Sequence, residues 1–200
     1  MKRFLSVLAA AFLLGTMANA QKLSWNFSAG YISSDCKVSS ASFDFNGAYA
    51  GIGVDFPIGD KGLAFAPAIN WDYKKLSFLV FGDADLHYLR IPLHVKFNVP
   101  FGETARFFVS GGPSVNIGMF GSTSLNSEYD YLIDEDEKNG PLFGKDGMKR
   151  IHLQAGLAIG VVFSDHYMLK ASYDIGITKG ADMSYTNRVD AITIGCGYCF

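Results

Sequence analysis

Three sets of side chains in this sequence have the composition of chemical sites. His94 and His152, with Ser110, Ser114 and Ser172, supply the base and nucleophile types of a hydrolase, and His87 adds another imidazole. Such a hydrolase needs nucleophile, base and orienting acid within hydrogen-bond reach. No nucleophile-elbow motif frames any of these serines, so His94 and His152 are expected to be satisfied lumenal histidines, with His87 at the outer rim. Cys196 and Cys199 have the spacing of a redox or metal pair. In an extended strand, however, residues three apart point to opposite faces. With Cys36 they make three thiols, which cannot all pair within one chain. The acidic run from Glu128 to Glu137 (EYDYLIDEDE) could bind calcium, but it lacks the Asp-x-Asp-x-Asp-Gly frame and is expected to be a solvated outer loop. No catalytic residue, metal site or cofactor is therefore expected.

The elements that carry these residues begin after an export signal. Lys2 and Arg3 precede an apolar run from Phe4 to Leu14, and Ala18-Asn19-Ala20 has the form of a cleavage site. Residues 1–20 are expected to be a signal peptide and 21–200 a single domain. The chain is 49% hydrophobic and only 18% charged, with 22 glycines, an unusual balance for a water-soluble domain. A net charge of -2, without a basic stripe, argues against nucleic acid.

Period-two alternation recurs in eight segments bounded by Gly, Pro, Asn or Asp: 23–32, 47–56, 63–73, 87–99, 105–119, 151–163, 167–178 and 190–200. The connections alternate long and short: 33–46, 74–86, 120–150 and 179–189 are long, and 57–62, 100–104 and 164–166 are short. This pattern predicts an all-β fold, an eight-stranded antiparallel up-and-down transmembrane β-barrel with tight periplasmic turns and longer extracellular loops. Removing 121–149 is expected to leave folding intact if that loop is peripheral.

Facing assignments support the membrane reading. When each strand's more apolar face is turned to lipid, Asp55, Asp72, Arg90, Lys96, Arg106, Lys170 and Asp174 all fall on the other face, with His94 and His152. Four positive and three negative inward charges predict a structural polar network in the lumen, in which Asp72 and Arg90 meet across a hairpin. Eight strands enclose space that side chains can fill, so a narrow channel is the weaker reading. Outward aromatics gather at strand ends, Trp25, Phe56, Phe97, Phe107, Phe163 and Tyr167 at one level and Trp71 and Tyr73 at the other, the pattern of interfacial girdles.

Five stretches carry a family likeness: GAYAGIGVDFPIG (47–59), YLRIPLHVKFNVPF (88–101), FFVSGGPSVNIG (107–118), ASYDIGITKG (171–180) and ITIGCGYCF (192–200). In these the chain resembles the small outer-membrane β-barrel proteins grouped with PorT and, more distantly, the barrels typified by OmpX and the OmpA membrane domain. The resemblance implies an outer-membrane location, contact with outer-membrane lipid, and a C-terminal signal at Tyr198 and Phe200 for the barrel-assembly machinery. The expected role is non-enzymatic, structural or surface-interacting through extracellular loops. The PorT likeness implies an accessory role in envelope secretion or transport, with an envelope protein as partner, as the alternative. A barrel enzyme acting on lipid is the remaining class.

Overall fold

The computed structural model describes residues 23–38, 41–78, 82–125, 143, 149–179 and 187–200. The expected signal peptide and the acidic run 128–137 lie outside them. The described residues form eight antiparallel strands: β1 Ser24–Val38, β2 Ala41–Ile58, β3 Leu63–Phe78, β4 Gly82–Phe101, β5 Ala105–Leu125, β6 Ile151–Phe163, β7 Tyr167–Gly176 and β8 Asn187–Cys199. Each pairs with its sequence neighbours, and β1 pairs with β8 to close the barrel. Tight turns join the strands at one end. Gly59, Gly62 and Gly102 adopt positive φ there, and Ser164 and Asp165 take the left-handed conformation between β6 and β7. Backbone bonds from Asn98 to Gly62 and from Ser164 to Thr104 tie these turns to neighbouring strands.

The register fixes the size of the lumen. Carried once round the barrel, the registers of the eight strand pairs return to β1 about ten residues further along it. With a rise of ~3.3 Å per residue and strands ~4.8 Å apart, that stagger sets a tilt near 40° and a backbone radius of roughly 8 Å. Side chains from opposite walls therefore meet at the axis.

Seven of the eight strands differ in extent from the sequence expectation, and five, β1 to β5, extend well past it. β1 and β2 stay paired out to Val38↔Ala41, β3 and β4 to Phe78↔Gly82, and β4 and β5 to Gly82↔Leu125. Residues 33–46 and 74–86, expected as loops, are largely sheet. The burial pattern explains the shortfall. Within the lower barrel Ile52, Ile69, Leu157 and Ile194 are exposed outward while Asp72, Asn116 and Gln154 are buried inward. Higher up the polarity reverses: Cys36, Phe45, Leu76, Leu86 and Val189 are buried inward, and Asp35, Lys37, Asp44, Lys75, Asp83 and Asp85 stand on the outer face. The upper sheet follows the rule of a protein in water and the lower sheet the rule of a barrel in lipid.

Candidate functional site: the lumen and the projecting sheet

At mid-barrel Arg90 joins two carboxylates. Its Nε and Nη2 donate to Asp72 at 2.8 and 3.2 Å, and Nη1 lies 3.5 Å from Asp174. Arg90 comes from β4, Asp72 from β3 and Asp174 from β7, so the cluster bridges opposite walls. Tyr49 contributes its ring face, 5.5 Å from the guanidinium. Toward the turns, Lys96 donates to Asp55 at 2.6 Å and lies over the Phe108 ring. Asn116 donates to Gln154, which donates to the Val189 carbonyl, and Ser172 bonds to both Asp174 and Thr193. Buried charges are sustained by this kind of mutual pairing.

Two placements differ from expectation. Arg106 has lumen-facing parity but lies at the turn end of β5, about a third exposed, and pairs with Asp165 at 3.0 Å. It belongs to the rim because alternation specifies which face a residue occupies and not its height. Lys74, expected in a loop, is instead the fourth inward cation: it is buried and lies over the Tyr88 ring at 5.0 Å. Its parity with Asp72 was the available signal, hidden by the charged pair Lys74-Lys75, which reads as a loop. Asn70, Asn116 and Gln154 are further buried polar residues that charge-based reading passed over.

Apolar clusters lie toward both ends of this polar middle. Toward the turns are Phe108, Val162, Met168 and Cys199. At the opposite end the cluster of Cys36, Phe45, Leu76, Leu86, Tyr88 and Val189 receives Phe143, which is 4% exposed and packs edge-on against Tyr88 at 5.4 Å. Phe143 belongs to the connection between β5 and β6, which is therefore not wholly peripheral. β5 also continues to Leu125, so removing 121–149 takes away paired strand as well as an anchor. Burial pushes the Cys36 thiol pKa up in this cluster.

The candidate hydrolase residues do not assemble an accessible site. Ser114 Oγ lies 3.5 Å from His94 Nε2, but Ser114 is fully buried inside the barrel. His152 is buried beside Tyr88, but, unlike the satisfied histidine expected, neither ring nitrogen has a hydrogen-bond partner among the described residues. His87 lies outside, against Phe120 at 4.3 Å, Tyr73 at 5.2 Å and Trp71 at 5.6 Å. The three thiols are free, with Cys196 exposed outward and Cys199 buried.

The outer face carries two aromatic levels. Trp25, Phe97, Phe107, Phe163 and Tyr167 are exposed at the turn end, where Phe56 stacks half-buried on Phe65. Tyr198 and Phe200 are exposed there too, Tyr198 lying flat on His166. Tyr31, Trp71, Tyr73 and Phe120 form the other level. From Phe97 to His87 the chain climbs about ten residues, roughly 33 Å along the strand and ~25 Å along the axis at the tilt above, the height of an outer-membrane apolar band. Beyond it Lys75 pairs with Asp83 at 2.7 Å, a hydrogen bond that raises the lysine pKa, and Lys37 contacts Asp35 and Asp190.

Residues 19–182 match the family described as outer membrane protein beta-barrel domain. The chain belongs to that family. It is an integral outer-membrane β-barrel, and its strand order is the up-and-down one expected. Among solved structures, the barrel is similar to the Neisserial surface protein A, with TM-score 0.56 and 14% identity over 90% of this chain and 100% of that one. It is similar to the attachment invasion locus protein Ail of Yersinia pestis, solved with the heparin analogue sucrose octasulfate, at TM-score 0.50 and 16% identity with the same coverage. The outer-membrane enzyme PagL is similar at TM-score 0.50 and 9% identity, over 88% of this barrel and 98% of that chain. These likenesses establish shared architecture. Comparison with curated proteins finds no match.

Proposed function

We propose that this barrel is a non-enzymatic surface-interaction protein whose working part is the sheet projecting beyond the extracellular girdle, and that it favours partners carrying positive charge. The observation behind this is the reversal of polarity on β1 to β4 and β8. On these strands, above Tyr31, Trp71 and Tyr73, the outward charged side chains are Asp35, Asp44, Asp83, Asp85 and Asp190 against Lys37, Lys75 and Arg188, with Lys149, Arg150 and Lys179 at the same end outside this sheet. A paired sheet holds these groups in fixed positions, so a partner meets an ordered charge pattern at little ordering cost. The heparin analogue bound by the Yersinia protein is a polyanion; an acid excess selects for the opposite sign. The lumen favours a structural role, since its charges are largely spent on one another.

Retention of nanodisc-embedded protein on immobilised polylysine and on heparin tests this reading. Polylysine should hold the protein, weakening with salt as exposed charges are screened. The Asp35→Asn, Asp44→Asn, Asp85→Asn, Asp190→Asn quadruple variant should lose retention. Preference for heparin, or unchanged retention of the variant, would overturn the proposed surface. Release of fatty acid from outer-membrane lipids by the purified protein would overturn the non-enzymatic reading.

A further inference from the structure

One part of the barrel wall has an interrupted backbone ladder. β2 and β3 pair at Gly53↔Ala68 and resume at Phe56↔Phe65, omitting two pairs at Pro67. β3 and β4 pair at Pro67↔Leu93 and resume at Asn70↔Arg90, omitting two at Pro92. β4 and β5 pair at Pro92↔Ser114 and resume at Val95↔Gly111, omitting two at Pro113. The other five interfaces pair without a break over their described lengths. Proline has no N–H to give a ladder, and the three gaps lie side by side from β2 to β5. In hydrocarbon, where no water replaces a lost partner, continuous pairing is what holds a barrel wall shut. This stretch has fewer ladder bonds to break than the described wall on either side of it.

Behind it lies a cavity of about 60 Å³, bordered by Pro67, Ala68 and Pro92 on the wall and by the charged groups of Arg90, Lys96, Lys170 and Asp55 inside. Arg90 is answered by Asp72 and Lys96 by Asp55. No carboxylate among the described residues forms an ion pair with Lys170, which lies over the Tyr49 ring at 5.6 Å. Among the described residues the inward charges are Lys74, Arg90, Lys96 and Lys170 against Asp55, Asp72 and Asp174. One monoanion in the cavity would balance them. A water needs roughly 10–15 Å³ of such space, so the cavity suits a carboxylate with its first carbons and nothing larger.

We propose that the cavity receives the carboxylate of a single-chain fatty acid, which slips in sideways from the bilayer through the proline-interrupted wall, with Lys170 as its counter-ion and its chain left among the lipid tails. This goes beyond the surface role and does not depend on it.

Oleate labelled with carbon-13 at the carboxyl, titrated into nanodisc-embedded protein and followed by NMR, tests the proposal. A bound carboxyl resonance absent from empty nanodiscs is expected, and excess acetate should not displace it. Lys170→Met should weaken binding about tenfold or more, the loss of one charge-assisted hydrogen bond, while Lys170→Arg retains it. Pro67→Val with Pro92→Val restores two N–H donors and should slow exchange of bound oleate, with heat-modifiable gel mobility reporting that each variant is folded. Absence of a bound resonance, or equal affinity in a folded Lys170→Met, would overturn the site. Displacement by acetate would overturn sideways access, placing the site in contact with water and free carboxylates.

Discussion

Replacing Asp72 with alanine tests the logic of the lumen directly. Asp72 is fully buried and takes two hydrogen bonds from Arg90, itself only 6% exposed. Removing one partner of a buried pair costs ~3 to 5 kcal/mol because the other charge is left uncompensated. Here Asp174 at 3.5 Å and the Tyr49 ring at 5.5 Å still face the guanidinium. They set the expectation at the low end, about 3 kcal/mol, or roughly a hundredfold in the unfolding equilibrium. Replacing both groups, Asp72→Leu with Arg90→Met, removes the charges together and should recover most of that loss, since a buried pair exchanged for apolar groups of similar volume is often neutral. Urea unfolding in lipid vesicles, read by the gel shift between folded and unfolded forms, gives all corners of the cycle. A single variant costing under about 1 kcal/mol, or a double variant no better than the single, would refute the claim that this network is held by mutual charge compensation.

Other regions make separate predictions. Ile159→Arg, on the lipid-facing side of β6, should cost ~2 to 4 kcal/mol in the same unfolding assay, the penalty for a cation near mid-bilayer. Phe143→Ala should open the apolar cluster at the extracellular end, so that a membrane-impermeant maleimide labels Cys36 faster on whole cells. Lipid-facing Cys196 stays protected as a control, and unchanged Cys36 labelling would show that Phe143 does not shield it. Deleting Phe200 should lower the amount reaching the outer membrane in cells while leaving refolding into short-chain detergent unchanged; equal loss in both would make the residue structural and not an assembly signal.

Sequence reasoning located faces better than heights. β6 has the bounds read from alternation, and Asp72, Arg90 and Asp174 share the lumen because parity alone places them there. Parity cannot distinguish the middle of the barrel from its rim, which is why Arg106 appeared to belong with Arg90. The upper sheet was hidden for another reason. Assigning the more apolar face to lipid works only while lipid is the solvent, and above Tyr31 and Trp71 the apolar residues Cys36, Phe45 and Leu86 turn inward. The cavity and its interrupted wall depend on Pro67, Pro92 and Pro113 coming level across neighbouring strands, a fact of register that no single strand contains.

The polarity reversal also constrains how the molecule comes into being. A barrel inserted from the periplasm must carry Asp35, Lys37, Asp44, Lys75, Asp83 and Asp85 through the hydrocarbon at the tips of its hairpins, although none resides there afterwards. Each such passage is costly at mid-bilayer, so the barrier lies in the crossing and not in the finished structure. Once across, the same charges oppose withdrawal. The projecting sheet thus acts as a ratchet: insertion needs assistance, and extraction is slow whatever the equilibrium stability, so persistence in the membrane is a matter of rate.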